Sequence, residues 1–162
     1  METAELFRVL HIFDKIKIGE RSISPKILRT SIGLGVILLV IPVAFPSTYL
    51  AVLVWLGFIF LLDPINYFFG TKSLFRDLEK GRLTILLSLF LSGLTCGLLW
   101  EFWNYWALSK WIYTVPILES VKIFEMPVIG YLGFLPFAVE CYIMYNSIGL
   151  IFQYSKSRND IT

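Results

Sequence analysis

Histidine is nearly absent from this chain of 162 residues, with His11 alone, and cysteine amounts to Cys96 and Cys141, each inside an apolar run. Neither cysteine has a cysteine or histidine near it in sequence. That excludes a disulfide framework and a zinc or haem site, so no metal and no cofactor is expected. Charge is scarce too, at 16% of residues, against about 25% in soluble domains. The net charge of +2 is too balanced for a nucleic-acid partner. There is no Gly-rich phosphate loop, no Ser–His arrangement and no Asp-rich diphosphate–magnesium motif. A cleavable signal is not expected either: the first apolar run begins late, after Glu2, Glu5, Asp14 and Glu20, and no small-residue cleavage site follows it.

What the chain does have is apolar length. Hydrophobic residues make up 57% of it, aromatic ones 17%, and mean hydropathy is +0.73. The pattern predicts an all-α polytopic membrane protein: a four-transmembrane-helix bundle with an N-terminal amphipathic interfacial helix. Residues 1–27 form the lead, with Leu6, Val9, Leu10, Phe13 and Ile16 at helical spacing. Packing of that helix on the bundle satisfies the same stripe. The transmembrane domain covers 28–154, with spans at about 28–45, 49–62, 83–105 and 127–154. Pro46-Ser47-Thr48 reads as the first turn. Asp63-Pro64 reads as the stop of the second span, with Asp63 and Asp77 as turn and surface groups. A short helix is expected around Ser73–Lys80, ended by Gly81. Pro127 suits the first turn of the fourth helix, whose Gly130, Gly133 and Pro136 predict a broken start. Residues 155–162 form a tail.

Basic residues fix an expected orientation. Arg8, Lys15, Lys17, Arg21, Lys26 and Arg29 lie in or beside the lead. Lys72, Arg76, Lys80 and Arg82 lie in the second loop, and Lys156 and Arg158 in the tail. With four spans all of these share one side, leaving Lys110 and Lys122 on the other. The positive-inside rule then places both termini in the cytoplasm of a cell whose inner membrane holds the protein.

Two acids interrupt the apolar runs. In the third span Gly93, Gly97, Glu101 and Tyr105 recur every four residues, beside the row Ser88, Ser92, Cys96 and Trp100. Small residues at this spacing let a neighbouring helix approach, so Glu101 should face the bundle with Asn104 on the same side. The leucines of this span outweigh one acid on an insertion scale, by roughly −5 against +3 kcal/mol. In the fourth span Glu140 lies about 20 Å beyond Pro127, near mid-membrane, on a face with Gly133 and Ser147. Intramembrane ionisable groups are functional candidates, although a carboxylic acid can also clip two helices together. Glu140 and Glu101 are therefore the candidate catalytic, proton-handling residues. Asn104, Trp100, Trp103, Tyr113 and Glu125 are the candidate substrate-binding residues. An aromatic belt at headgroup level competes as the explanation of the rings, and a helix cap as that of Glu125. Asn146 and Gln153 occupy another side of the fourth helix.

The stretches WEFWNYWALSKWIYTVP (100–116), KIFEMPVIGYLGFLPFAVECY (122–142) and LDPINYFFGTKSLFRDLEKG (62–81) resemble a family of small uncharacterised prokaryotic membrane proteins. That likeness implies a polytopic fold and carries over no catalytic residue. A fainter likeness is to membrane carotenoid cyclases, which set a proline shortly before a membrane glutamate, as Pro136 precedes Glu140 here. In those cyclases another acid follows; here the following residue is Cys141.

An acid kept protonated in a dry pocket can donate a proton to an apolar substrate, and aromatic walls can stabilise a cation. The function expected is thus an intramembrane enzyme or binder for an apolar lipid or isoprenoid. The alternative is a non-catalytic membrane subunit, or a small proton-coupled transporter or channel, in which the acids are structural or relay protons. The partner is membrane lipid, with a second copy of the chain or another membrane protein as further candidates.

Overall fold

The computed structural model describes residues 1–47, 49–113 and 121–159, with side chains to residue 152. Thr48 of the first turn, residues 114–120 of the second outer connection, the end of the tail (160–162) and the side chain of Gln153 lie outside the described residues.

The chain is mostly helical. In order come α1 (Glu2–Val9), α2 (Pro25–Ala44), α3 (Val52–Phe68), α4 (Leu74–Glu79) and α5 (Thr84–Trp106). A two-stranded hairpin, β1 (Lys122–Ile123) with β2 (Met126–Pro127), and a 3₁₀ turn (Val128–Gly133) then lead into α6 (Phe134–Asn159). Three stretches are long and apolar enough to cross a membrane: Pro25–Ala44, Thr84–Trp106 and Val128–Phe152. The fourth apolar helix, α3, is shorter. Outward surfaces are greasy, as with Ile37, Val40 and Val43 of α2 and Leu98 and Leu99 of α5.

Glycines set the two closest helix approaches. A side chain at Gly35 of α2 would lie 2.5 Å from the Leu61 amide of α3. Gly93 and Gly97 of α5 abut the Phe134 backbone and ring at the start of α6. The small-residue stripe anticipated on α5 is therefore its buried face, ending in Glu101 with no exposed surface. Tyr105, next on the same row, is exposed.

The second apolar helix does not stop at Asp63. It continues through Pro64 to Phe68, because other elements satisfy the groups that would break it. Proline leaves the Phe60 carbonyl without its helical donor, and Ser31 of α2 donates to that oxygen at 2.9 Å. Nor are Asp63 and Asp77 surface groups, being 2% and 8% exposed. Asp63 accepts from the Ser73 hydroxyl (3.0 Å) and from the amides of Leu74 (2.9 Å) and Phe75 (2.8 Å), holding the first turn of α4. Asp77 pairs with Arg82. Below this clasp Asn66, fully buried, donates to the Ile143 carbonyl at 3.2 Å and accepts from Ser147 at 3.0 Å, tying α3 to α6.

The helix of the lead is shorter than the apolar stripe, which runs on to Phe13 and Ile16. That helix ends at Val9 and buries Ala4, while Leu6, Val9, Leu10 and Ile16 are exposed. Ala4 belongs to one apolar core with Leu74, Leu89, Val139, Tyr142 and Ile143. Next to Ala4 in α1, the Thr3 hydroxyl is 3.7 Å from Cys96 Sγ of α5. After α1 the lead is pinned to the second loop. The Ile18 amide donates to Gly81 O (3.0 Å), Arg21 to Glu79 O (3.1 Å) and Ile23 to the Glu79 carboxylate (3.2 Å). Gly81 holds a positive φ of 67° with Ile18 O against its Cα, so only glycine fits. These two basic segments thus lie on one side of the bundle.

The last apolar stretch begins at Val128, next to Pro127, but its α-helix begins later. Pro127 closes the hairpin, the 3₁₀ turn carries Gly130 and Gly133, and the α-helix starts at Phe134. Pro136, third in α6, falls where its missing N–H has no helical partner to lose.

Candidate functional site

The site is built where α5 leaves the apolar zone. Asn104 clamps the chain that follows. Its Oδ1 accepts from the Trp111 amide (2.6 Å) and its Nδ2 donates to the Trp111 carbonyl (2.8 Å). An amide side chain satisfies the N–H and the C=O of one residue in this way, folding residues 107–113 back over the helix end. That return places Tyr113 against α5, where its hydroxyl donates to Glu101 Oε1 at 2.6 Å. Trp100 Nε1 donates to the same hydroxyl oxygen at 3.3 Å. The three side chains form one chain, indole to phenol to carboxyl.

Glu101 is fully buried, and its Oε2 has no hydrogen-bond partner among the described residues. Burial, then the bond to Glu101, pushes the Tyr113 phenol up to about 12 from its ordinary 10.0. It remains a donor throughout the physiological range.

Tyr113 and Trp100 also form part of the wall of a cavity of about 910 Å³ between α3, α5 and the start of α6. Trp55, Cys96, Trp111, Phe134 and Phe137 are also in the wall, and Ser92 is its one hydroxyl residue besides Tyr113. Trp55 and Phe137 meet edge to face with centroids 6.4 Å apart. The volume lies in the range of small-molecule sites, about 300–1,000 Å³.

The anticipated residues therefore separate. Glu101, Tyr113 and Trp100 come together beside the cavity, and Asn104 acts on backbone to position them. Trp103 is 64% exposed and not part of the wall. Glu125 is not a helix cap. It occupies the turn of the β hairpin and forms an ion pair with Lys110, because the α-helix begins nine residues further on. The preceding residue, Phe124, holds a positive φ of 58° and packs its ring on Phe102 and Tyr105 of α5. Glu125 holds the Lys110 ammonium charged by raising its pKa above the ordinary value.

Glu140 is buried at 6% exposure but stands apart from this group. Phe134 packs level with Gly93 and Gly97. Glu101 lies four residues beyond Gly97 and Glu140 six beyond Phe134, in opposite directions, so about 15 Å of helix axis separates them. Glu140 is not among the cavity's walls. No group of three or more His, Cys, Asp or Glu able to hold a metal occurs among the described residues.

Sequence reasoning missed Trp55, Phe134 and Phe137 as cavity walls. Each sits in a uniformly apolar stretch, where no contrast in residue type marks the inward face. No family model, curated protein or solved structure matches the chain.

Proposed function

We propose that the chain is a four-span protein of the cell's inner membrane, with cytoplasmic termini, that binds an apolar lipid or isoprenoid chain in the cavity between α3, α5 and α6. One observation carries this reading: an aromatic-walled apolar cavity of about 910 Å³ ends at Tyr113, whose hydroxyl is bonded to a fully buried Glu101. Apolar walls favour a hydrocarbon chain, and the few polar groups fix its orientation. The Tyr113 hydroxyl, which donates to Glu101 and accepts from Trp100, keeps one lone pair to accept from a hydroxyl at the ligand's polar end. Chemical change of that ligand would run through the Tyr113–Glu101 pair, whose bond fixes the phenol hydroxyl beside the cavity. Glu140, deeper in the bundle, then serves the helix packing.

The test is mass spectrometry of lipid carried through purification. Wild type should retain one apolar lipid per chain. Cys96→Phe, which enlarges an exposed residue of the cavity wall, should lose most of it while keeping its helical circular dichroism. Equal retention by both proteins, or retention of bulk phospholipid alone, rejects the cavity as the site.

A further inference from the structure

A second cavity, of about 710 Å³, lies at the opposite, basic end of the bundle, between α1, the α3–α4 connection and α6. Its character is opposite to that of the first. Arg8, Lys72, Arg76 and Arg82 line it, with Glu5, Asp14 and Asp77. Every one of those acids already has a partner: Glu5 pairs with Arg8, Asp14 with His11, and Asp77 with Arg82. Lys72 and Arg76 are left without an ion pair among the described residues. Glu79, the next acid along the chain, is taken by the Tyr67 hydroxyl at 2.8 Å and by the Ile23 amide.

Arg76 is held in a fixed pose. Its Nη1 donates to Thr71 O at 3.0 Å and its Nη2 to Tyr67 O at 2.6 Å, with the guanidinium 5.0 Å from the Tyr67 ring centre. Those bonds use two of five N–H groups and form no ion pair, although Arg76 is near enough to Glu79 to help lower its pKa. A pre-set guanidinium with spare donors suits a phosphate oxygen. The second, independent observation is Tyr142. It lines the same cavity and is only 7% exposed, and although the Asn146 amide lies beside it, its buried hydroxyl has no acceptor within hydrogen-bond distance among the described residues. A buried hydroxyl is normally paired, and an unpaired one calls for an explanation. An anionic oxygen entering the cavity would supply the acceptor.

We infer that this cavity is a phosphate-binding site, in which Arg76 and Lys72 neutralise the anion and Tyr142 donates to one of its oxygens. The phosphate is that of a membrane lipid headgroup or a free phosphate, since both present the same charged oxygens. The site is separate from the aromatic cavity and does not depend on it.

Native mass spectrometry and thermal unfolding of the delipidated full chain in neutral detergent test the inference, with phosphatidylglycerol, phosphatidylcholine and inorganic phosphate as probes. One phosphatidylglycerol should bind per chain in preference to phosphatidylcholine. Lys72→Glu should weaken that binding by about fivefold or more. Tyr142→Phe should weaken it while leaving the unfolding temperature without ligand unchanged or higher, because the unpaired hydroxyl is gone. Lys26→Glu, a basic residue outside the cavity, should have little effect. Stabilisation by inorganic phosphate alone, or its competition with the lipid, identifies a site for the phosphate group itself; binding of the lipid without such competition identifies a headgroup site. Binding that falls equally in Lys26→Glu and Lys72→Glu, or that is unchanged in Tyr142→Phe, overturns the inference, as does the absence of binding by both anionic probes.

Discussion

Tyr113 and Glu101 illustrate how a membrane-edge acid is kept without a cation. The phenol supplies a hydrogen bond of 2.6 Å, and a neutral donor brings no charge of its own into the buried site. Because the bond needs the phenol proton, its contribution has a definite pH dependence. The folded-state value of about 12 exceeds the ordinary 10.0, so the contribution is complete below about pH 10 and is lost as pH rises through about 12. Tyrosinate absorbance should show one ring, absent in Tyr113→Phe, titrating last. Glu101→Gln keeps an acceptor and should fold normally. Glu101→Ala leaves the Tyr113 hydroxyl without its acceptor and should lower stability by about 1–3 kcal/mol. Equal unfolding midpoints for the Gln and Ala variants would show that the bond contributes nothing.

At the scale of elements, the notable device is a proline carried inside α3. Ser31 on α2 donates to the Phe60 carbonyl that Pro64 releases. Interhelical bonds of this kind contribute about 0.6 kcal/mol on average in membranes, up to about 1.7. Ser31→Ala should therefore lower the thermal midpoint in detergent modestly. Pro64→Ala restores an N–H to the helix, so the Ser31→Ala loss should shrink in that background. An identical loss in both backgrounds would mean that the Phe60 carbonyl is not what Ser31 serves. The same elements explain what was legible in the sequence. The α5 stripe could be read because Gly93, Gly97 and Glu101 mark one face by size and polarity at a spacing of four. Asp63 could not, since an Asp-Pro pair reads locally as a turn. Its donors come from Ser73, Leu74 and Phe75, and the donor that rescues its proline neighbour lies 29 residues before Phe60. Glu125 misled for a related reason: proximity to Pro127 suggested a helix start, while its partner Lys110 lies 15 residues back.

For the molecule as a whole, the sidedness of charge becomes a geometric statement. The lead and the second loop are joined by backbone bonds, Ile18 to Gly81 and Arg21 to Glu79, so their basic residues cannot lie on opposite faces of a membrane. Lys110 and Lys122 stand at the other end, beyond α5, and Lys110 is neutralised by Glu125. Segments rich in unpaired Lys and Arg resist translocation, whereas one lysine held by a carboxylate adds little bias. In a Cys96→Ser, Cys141→Ser background, a cysteine at Ser109 should react with a membrane-impermeant thiol reagent in intact cells. A cysteine at Lys17 should react only after permeabilisation. The opposite pattern would invert the bundle, putting the phosphate cavity outside and the aromatic cavity toward the cytoplasm. Labelling of both positions from outside would remove a crossing between them. The lead and the second loop share a side, so α2 and α3 cross together, and the crossing to go would be α5. The tie of α3 to α6 through Asn66 and its close approach to α2 at Gly35 argue for retention of the α2–α3 pair. A helix whose polar groups are all directed at neighbouring helices has its lipid-facing surface free of them, as the hydrocarbon requires.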